Sequence, residues 1–119
     1  MLLTEVVRLN RHEMQCIDLA IAYIEKHHQD RISAEDLSIE AGLSKKKLYA
    51  GFFKKTGFTP HHYKIRVRIE KAKSLLEDAT LPIKAIARTI GFKTHSHFSE
   101  VFKEITSLTP EEYRSKYAA

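Results

Sequence analysis

Histidine and cysteine are the side chains best suited to metal or acid–base chemistry, and this chain has seven histidines and one cysteine. Six of the histidines fall in close pairs: His27 with His28, His61 with His62, and His95 with His97. None of these pairs has the i, i+4 spacing with a companion acid that a zinc-binding helix needs. Cys16 has no second cysteine, so no internal disulfide follows, and its apolar-periodic surroundings read as a small buried residue. The four glycines each read as turn residues, which leaves no phosphate-cradling loop. No serine sits in a nucleophile elbow. No catalytic residue, metal site or cofactor is expected, and nothing supports an enzyme.

What remains is charge. Lys45, Lys46, Lys47, Lys54 and Lys55 lie in one short segment that contains no acid. Three of them crowd its start, where a helix macrodipole disfavours cations, so an approaching anion would relieve them. The formal net charge of +5 agrees with a polyanionic partner but does not choose between nucleic acid and an acidic protein surface. Phe52, Phe58, Phe92, Phe98 and Phe102 recur at helical or repeat spacing, which makes them core and not a stacking platform for single strands.

The lysine segment is half of an internal repeat. Leu48, Phe52, Thr56, Thr59, Pro60 and Tyr63 recur as Phe98, Phe102, Thr106, Thr109, Pro110 and Tyr113, a constant offset of 50 residues. Upstream, Ile32, Leu37, Gly42 and Leu43 recur as Leu81, Ile86, Gly91 and Phe92 at an offset of 49. One supersecondary unit is therefore used twice.

The elements that must carry these units follow in order. Residues 1–10 have little pattern and read as a lead-in or linker remnant. Met14, Ile17, Ile21 and Ile24 give a first helix over about 11–28. Ser33 caps a helix over 34–41, with Asp36 as the acidic partner of a capping box and Gly42 as its stop. Ser44 caps the lysine-rich helix over about 45–55. On it Leu48 and Phe52 face inward, Lys46, Ala50 and Phe53 point the opposite way, and Tyr49 flanks them. Helix, glycine turn, helix is the helix-turn-helix pattern.

Thr59 and Pro60 start a long helix to about residue 77, the proline being favoured at the first helical position. Its expected buried stripe is Tyr63, Val67, Ala72, Leu75 and Leu76, with Lys64, Arg66, Arg68, Lys71 and Lys73 mostly outward. Thr80 is expected to cap a helix ending near Ile90, with Ile83, Ile86, Ala87 and Ile90 inward. A second reading-type helix runs over about 95–104. It buries Phe98, Val101, Phe102 and Ile105 and turns Ser96, Glu100 and Lys103 away, with His95 and Ser99 on the flanks. Thr109 and Pro110 begin a last short helix to residue 117. The expectation is an all-α fold of about seven helices. Its parts are a helix-turn-helix subdomain over 11–59, a linking helix over 60–78 and a second such subdomain over 79–119. No apolar run is long enough to cross a membrane and the start lacks a secretory signal, so the chain reads as cytoplasmic.

Two sets of residues carry a resemblance to a known family. Ile86, Ala87, Gly91, Phe92, Ser96, His97, Phe98, Phe102, Lys103, Thr109, Pro110, Tyr113 and Arg114 resemble the second helix-turn-helix of the AraC/XylS family of bacterial transcription regulators. Leu37, Ala41 to Ser44, Leu48, Phe52, Lys54, Thr56, Gly57, Pro60, Tyr63 and the stretch from Arg68 to Ala72 resemble its first unit and linking helix.

The resemblance implies two helix-turn-helix units that read consecutive major-groove segments of double-stranded DNA. It implies RNA polymerase as a protein partner and a monomer for this domain alone. By position the family's base-facing residues map onto Lys45, Lys46, Tyr49 and Ala50 and onto His95, Ser96, Ser99 and Glu100, and all but Lys45 are expected to contact bases. Lys45, Lys47, Lys54, Arg68 and Lys103 are the expected phosphate contacts. Three departures stand out. Ser107 replaces the usual glycine before the second Thr-Pro, Phe53 stands where lysine is common, and Glu100 stands where many relatives have arginine. The alternative from another class is a basic helical adaptor that docks on an acidic protein.

Overall fold

The structure, a computed structural model, describes residues 7–118. Those residues form seven helices and no strand. They are α1 (Arg11–His27), α2 (Ala34–Ala41), α3 (Lys45–Thr56), α4 (Pro60–Leu76), α5 (Ile83–Thr89), α6 (His95–Thr106) and α7 (Pro110–Tyr117). The chain divides into two compact units. The first holds residues up to His27 together with Ile32–Lys64, and the second holds His28–Arg31 with residues from Ile65 onward. The division falls inside α4, so its first turn belongs to one unit and the rest to the other.

In the first unit α1, α2 and α3 contact one another, and the buried residues are Cys16, Ile17, Ala20 and Ile24 of α1, Leu37 and Ala41 of α2, and Leu48 and Phe52 of α3. The α2 boundaries follow from local chemistry. Ser33 Oγ accepts from the Asp36 N–H while the Asp36 carboxylate accepts from the Ser33 N–H, completing the capping box. Gly42 ends the helix at φ 73°. Gly51 is not a turn residue as its composition class suggested. It lies within α3, fully enclosed, and a Cβ there would stand 2.7 Å from Ile17 and 2.8 Å from Leu9. The glycine is what lets α1 and α3 approach so closely.

The second unit repeats the plan. Ile69, Ala72 and Leu76 of α4 pack with Ile86, Ala87 and Ile90, Phe92, and Phe98 and Phe102 of α6. The repeated residues keep their jobs. Phe52 meets the edge of Tyr63 at 5.4 Å, and Phe102 meets Tyr113 the same way at 5.5 Å. The Thr56 hydroxyl donates to the Phe52 carbonyl and accepts from the Phe58 N–H; Thr106 does the same with Phe102 and Leu108. That hydroxyl turns the chain from α3 or α6 into the capped helix that follows.

Three sequence expectations need correction. Thr80 does not cap α5. Its backbone and hydroxyl both bond the Asp78 carboxylate, and α5 opens at Pro82 with no side-chain cap. Lys64 and Arg68, expected outward, are 8% and 7% exposed. The inward stripe of α4 runs through Ile65, Arg68, Ile69, Ala72 and Leu76, and Arg68 falls on it at helical spacing. Its Nε donates to the His28 carbonyl at 2.5 Å and Nη2 to the Asp30 carbonyl at 3.3 Å, and the guanidinium carbon lies 5.5 Å from the Phe92 ring centroid. Arg114 acts alike, donating from Nε to Leu76 and from Nη2 to Asp78. Both arginines satisfy carbonyls left open where a helix ends.

Candidate nucleic-acid interface

The outer stripe of α3 starts at Lys46 and climbs through Tyr49 and Ala50. Lys46 is exposed, Tyr49 is 41% exposed and Ala50 is half-buried, while Leu48 and Phe52 on the opposite face are fully enclosed. On α6, Ser96, Glu100 and Lys103 are exposed, and His95 and Ser99 are half-buried. The same phase holds in both helices because Leu48 and Phe52, or Phe98 and Phe102, fix which side turns inward. The structure therefore turns Lys46, Tyr49, Ser96 and Glu100 outward, on one helix face in each unit, with Ala50, His95 and Ser99 half-buried beside them.

Each helix begins at a hydroxyl cap. Ser44 Oγ accepts from the Lys47 N–H, and Thr94 Oγ1 accepts from the His97 N–H. His95 is partly turned from the outer face. Its Nε2 is enclosed and lies 3.6 Å from Glu111 Oε2, beyond hydrogen-bond reach.

The lysines behave differently from the sequence reading. Anions do approach the start of α3, but they come from within the first unit. Lys47 Nζ lies 2.5 Å from Glu13 Oε2 of α1, and Lys45 Nζ lies 3.2 Å from Glu35 Oε1 of α2. Further along, Lys55 pairs with Asp18 at 2.6 Å. The Lys47 hydrogen bond holds the Glu13 carboxyl below its ordinary range, helped by the Asn10 N–H. Lys54 and Lys103 are exposed. Arg68 leaves the set of phosphate candidates, since its Nε and Nη2 are committed to backbone carbonyls inside the second unit. Burial pushes its pKa down, with Asp30 opposing.

Sequence reasoning missed a second group of cations. Lys84 and Arg88 of α5 and Lys93 of the turn line, with the already expected His95, one depression of about 270 Å³ at the start of α6. The signal was present as an asymmetry between the repeats. Helix α5 carries Lys84 and Arg88 and no acid, whereas its counterpart α2 carries Glu35, Asp36 and Glu40 and no base. Cationic side chains beside the N–H groups of a helix start make a setting for a phosphate.

Residues 37–116, from within α2 to within α7, match the helix-turn-helix domain family. An AraC-type DNA-binding-domain regulator from Chromobacterium violaceum superposes with a TM-score of 0.81 at 26% identity, over 92% of this chain and 97% of that one. The chain belongs to the AraC-type helix-turn-helix family. This AraC-type chain is also 34% identical over 114 residues to a probable transcriptional regulator, LumQ, of Photobacterium leiognathi. That match takes in 96% of the chain and 45% of LumQ. The C-terminal domain of AraT, a response regulator from Geobacillus stearothermophilus, is 29% identical with a TM-score of 0.80, over 95% of this chain and 91% of that domain. The AraC-type chain thus spans about half the length of LumQ or less. The family is one of DNA-binding domains of transcription regulators and not of enzymes. No helix among the described residues is long and apolar enough to cross a membrane.

Proposed function

We propose that this AraC-type chain binds double-stranded DNA sequence-specifically and thereby regulates bacterial transcription. Helices α3 and α6 each enter a major groove, in consecutive segments. Lys46, Tyr49 and Ala50 face base edges in one segment, and His95, Ser96, Ser99 and Glu100 in the other. Base edges carry sequence information and phosphate contacts set the register. Lys45, Lys47, Lys54 and Lys103 meet the backbone, joined by Lys84, Arg88 and Lys93. The reading is carried by one observation: a single helix-turn-helix unit occurs twice, and in each copy the second helix turns an outer stripe away from its core.

Because α3 and α6 differ in sequence, the site is asymmetric and one chain occupies it as a monomer. RNA polymerase is the protein that such a bound regulator addresses, in the bacterial cytoplasm. Selection of bound sites from random duplexes, followed by footprinting, tests this. The expected result is a non-palindromic site with two protected groove segments centred about 10 bp apart. No enrichment of any duplex at low salt would overturn the reading and leave the basic surface as a dock for an acidic protein.

A further inference from the structure

Phe53 is an aromatic side chain that the first unit leaves 60% exposed. It stands seven residues beyond Lys46, within about 20° of the same angular position on α3. Tyr49 and Ala50 lie one turn below it on either side. Together Tyr49, Ala50 and Phe53 form an apolar strip along the outer face of the helix. Cations border that strip: Lys46 below it and Lys54 beside it, both exposed. The internal repeat sharpens the point, since the position equivalent to Phe53 in α6 is Lys103. One copy of the unit offers a phosphate partner there and the other offers a benzene ring.

An apolar strip rimmed by positive charge fits a ligand whose apolar groups sit inside an anionic border. In a DNA major groove the base edges present donors, acceptors and one apolar group, the C5-methyl of thymine. We propose that Phe53, with Tyr49 and Ala50, reads thymine methyl groups and makes the segment under α3 prefer A·T or T·A pairs. This deepens the function proposed above and rests on α3 lying in the major groove. Phe53 is then a specificity-determining residue outside the set of base contacts expected from sequence.

Replacing thymine by deoxyuridine removes the methyl and keeps every hydrogen-bonding group. Duplexes carrying the selected site, with each thymine exchanged singly for deoxyuridine, are titrated against the chain and against Phe53→Ala. The expected result is a loss of about fourfold in affinity at one or two thymines, the worth of one buried methyl-sized group. In Phe53→Ala that loss disappears at the same positions. Phe53→Lys, which copies the second unit, also abolishes it and steepens the salt dependence by about one phosphate contact. It serves as the second variant if alanine alters folding. An unchanged deoxyuridine effect in both variants overturns the proposal, as does a selected site with no methyl-sensitive thymine. Failure to enrich any duplex overturns the function reading itself, which is a separate outcome.

Discussion

The Arg68 guanidinium fills the space beside Gly91 that a side chain at position 91 would need. A Cβ there would stand 2.8 Å from Arg68 Nη2 and 2.7 Å from the Gln29 carbonyl oxygen. Gly91 also has φ 102°, a conformation that side chains resist. Gly91→Ala is therefore expected to destabilise the second unit by about 2 kcal/mol or more, from backbone strain and loss of the arginine clasp together. Arg68→Ala should cost about 2–4 kcal/mol by releasing two charge-assisted hydrogen bonds. Urea unfolding reads both. The same variant should leave the salt slope of DNA binding unchanged, whereas Lys54→Ala should lower it by roughly one unit. A slope that falls with Arg68→Ala would mean that this arginine meets a phosphate after all.

Ser107 closes α6 in the left-handed conformation at φ 71°, and it is the one non-glycine among the described residues with a positive φ. Its counterpart in the first unit is Gly57 at φ 81°. A left-handed conformation costs an ordinary residue about 1–2 kcal/mol, partly offset by the greater chain entropy of glycine when unfolded. Ser107→Gly is expected to stabilise the protein by about 0.5–1 kcal/mol, a rise in Tm of several degrees. Gly57→Ser should lower Tm. Thermal melts of the two reciprocal variants check this, and a fall in Tm for Ser107→Gly would contradict it.

Glu13 and Lys47 give the first unit a dependence on pH. The lysine holds the Glu13 pKa below its ordinary value of 4.5, so the ionised form is favoured by folding. Its contribution is full above that value and is lost as the pH falls below it through the depressed folded pKa. Between about pH 5 and 3, unfolding free energy should fall less steeply for Glu13→Gln than for the parent chain. Parallel slopes would show that this pair adds nothing.

Glu100 is exposed on the outer face of α6, where a carboxylate meets repulsion from any nearby phosphate. A cytosine N4 donor makes such a residue useful. Glu100→Ala is expected to relax preference at one base position by about 1–3 kcal/mol. Binding to the selected site and to its single-base variants measures this. Uniform tightening on every duplex would show that Glu100 only repels the backbone.

The repeat, the caps and the core phase were legible in the sequence because each depends on residues a few positions apart. The α2 span is fixed by Ser33, Asp36 and Gly42 alone, and the inward faces of α3 and α6 by Leu48, Phe52, Phe98 and Phe102. What escaped depended on partners distant in the chain. The burial of Arg68 is set by carbonyls about forty residues away. The anions beside Lys45 and Lys47 come from α2 and α1, and composition within one helix cannot reveal them. Thr80 looked like a cap by its position before α5, but Asp78 two residues earlier takes its hydroxyl. The cations of α5 stand in the sequence as an acid-free segment, but only the fold brings them beside the start of α6.

The uneven placement of basic residues gives the two units different evolutionary freedom. In the second, Lys84 and Arg88 sit on α5, while the side chains proposed to face bases sit on α6. Most of the proposed hold on the backbone and the proposed choice of sequence are then separate segments of the gene, and α6, Lys103 apart, can be rewritten for a new target with that hold intact. In the first, α3 carries both the lysines and the reading stripe, and Glu13 of α1 and Glu35 of α2 are tied to it. A change of target there disturbs affinity and folding together. New binding specificities should arise more readily from exchanges in α6 than in α3.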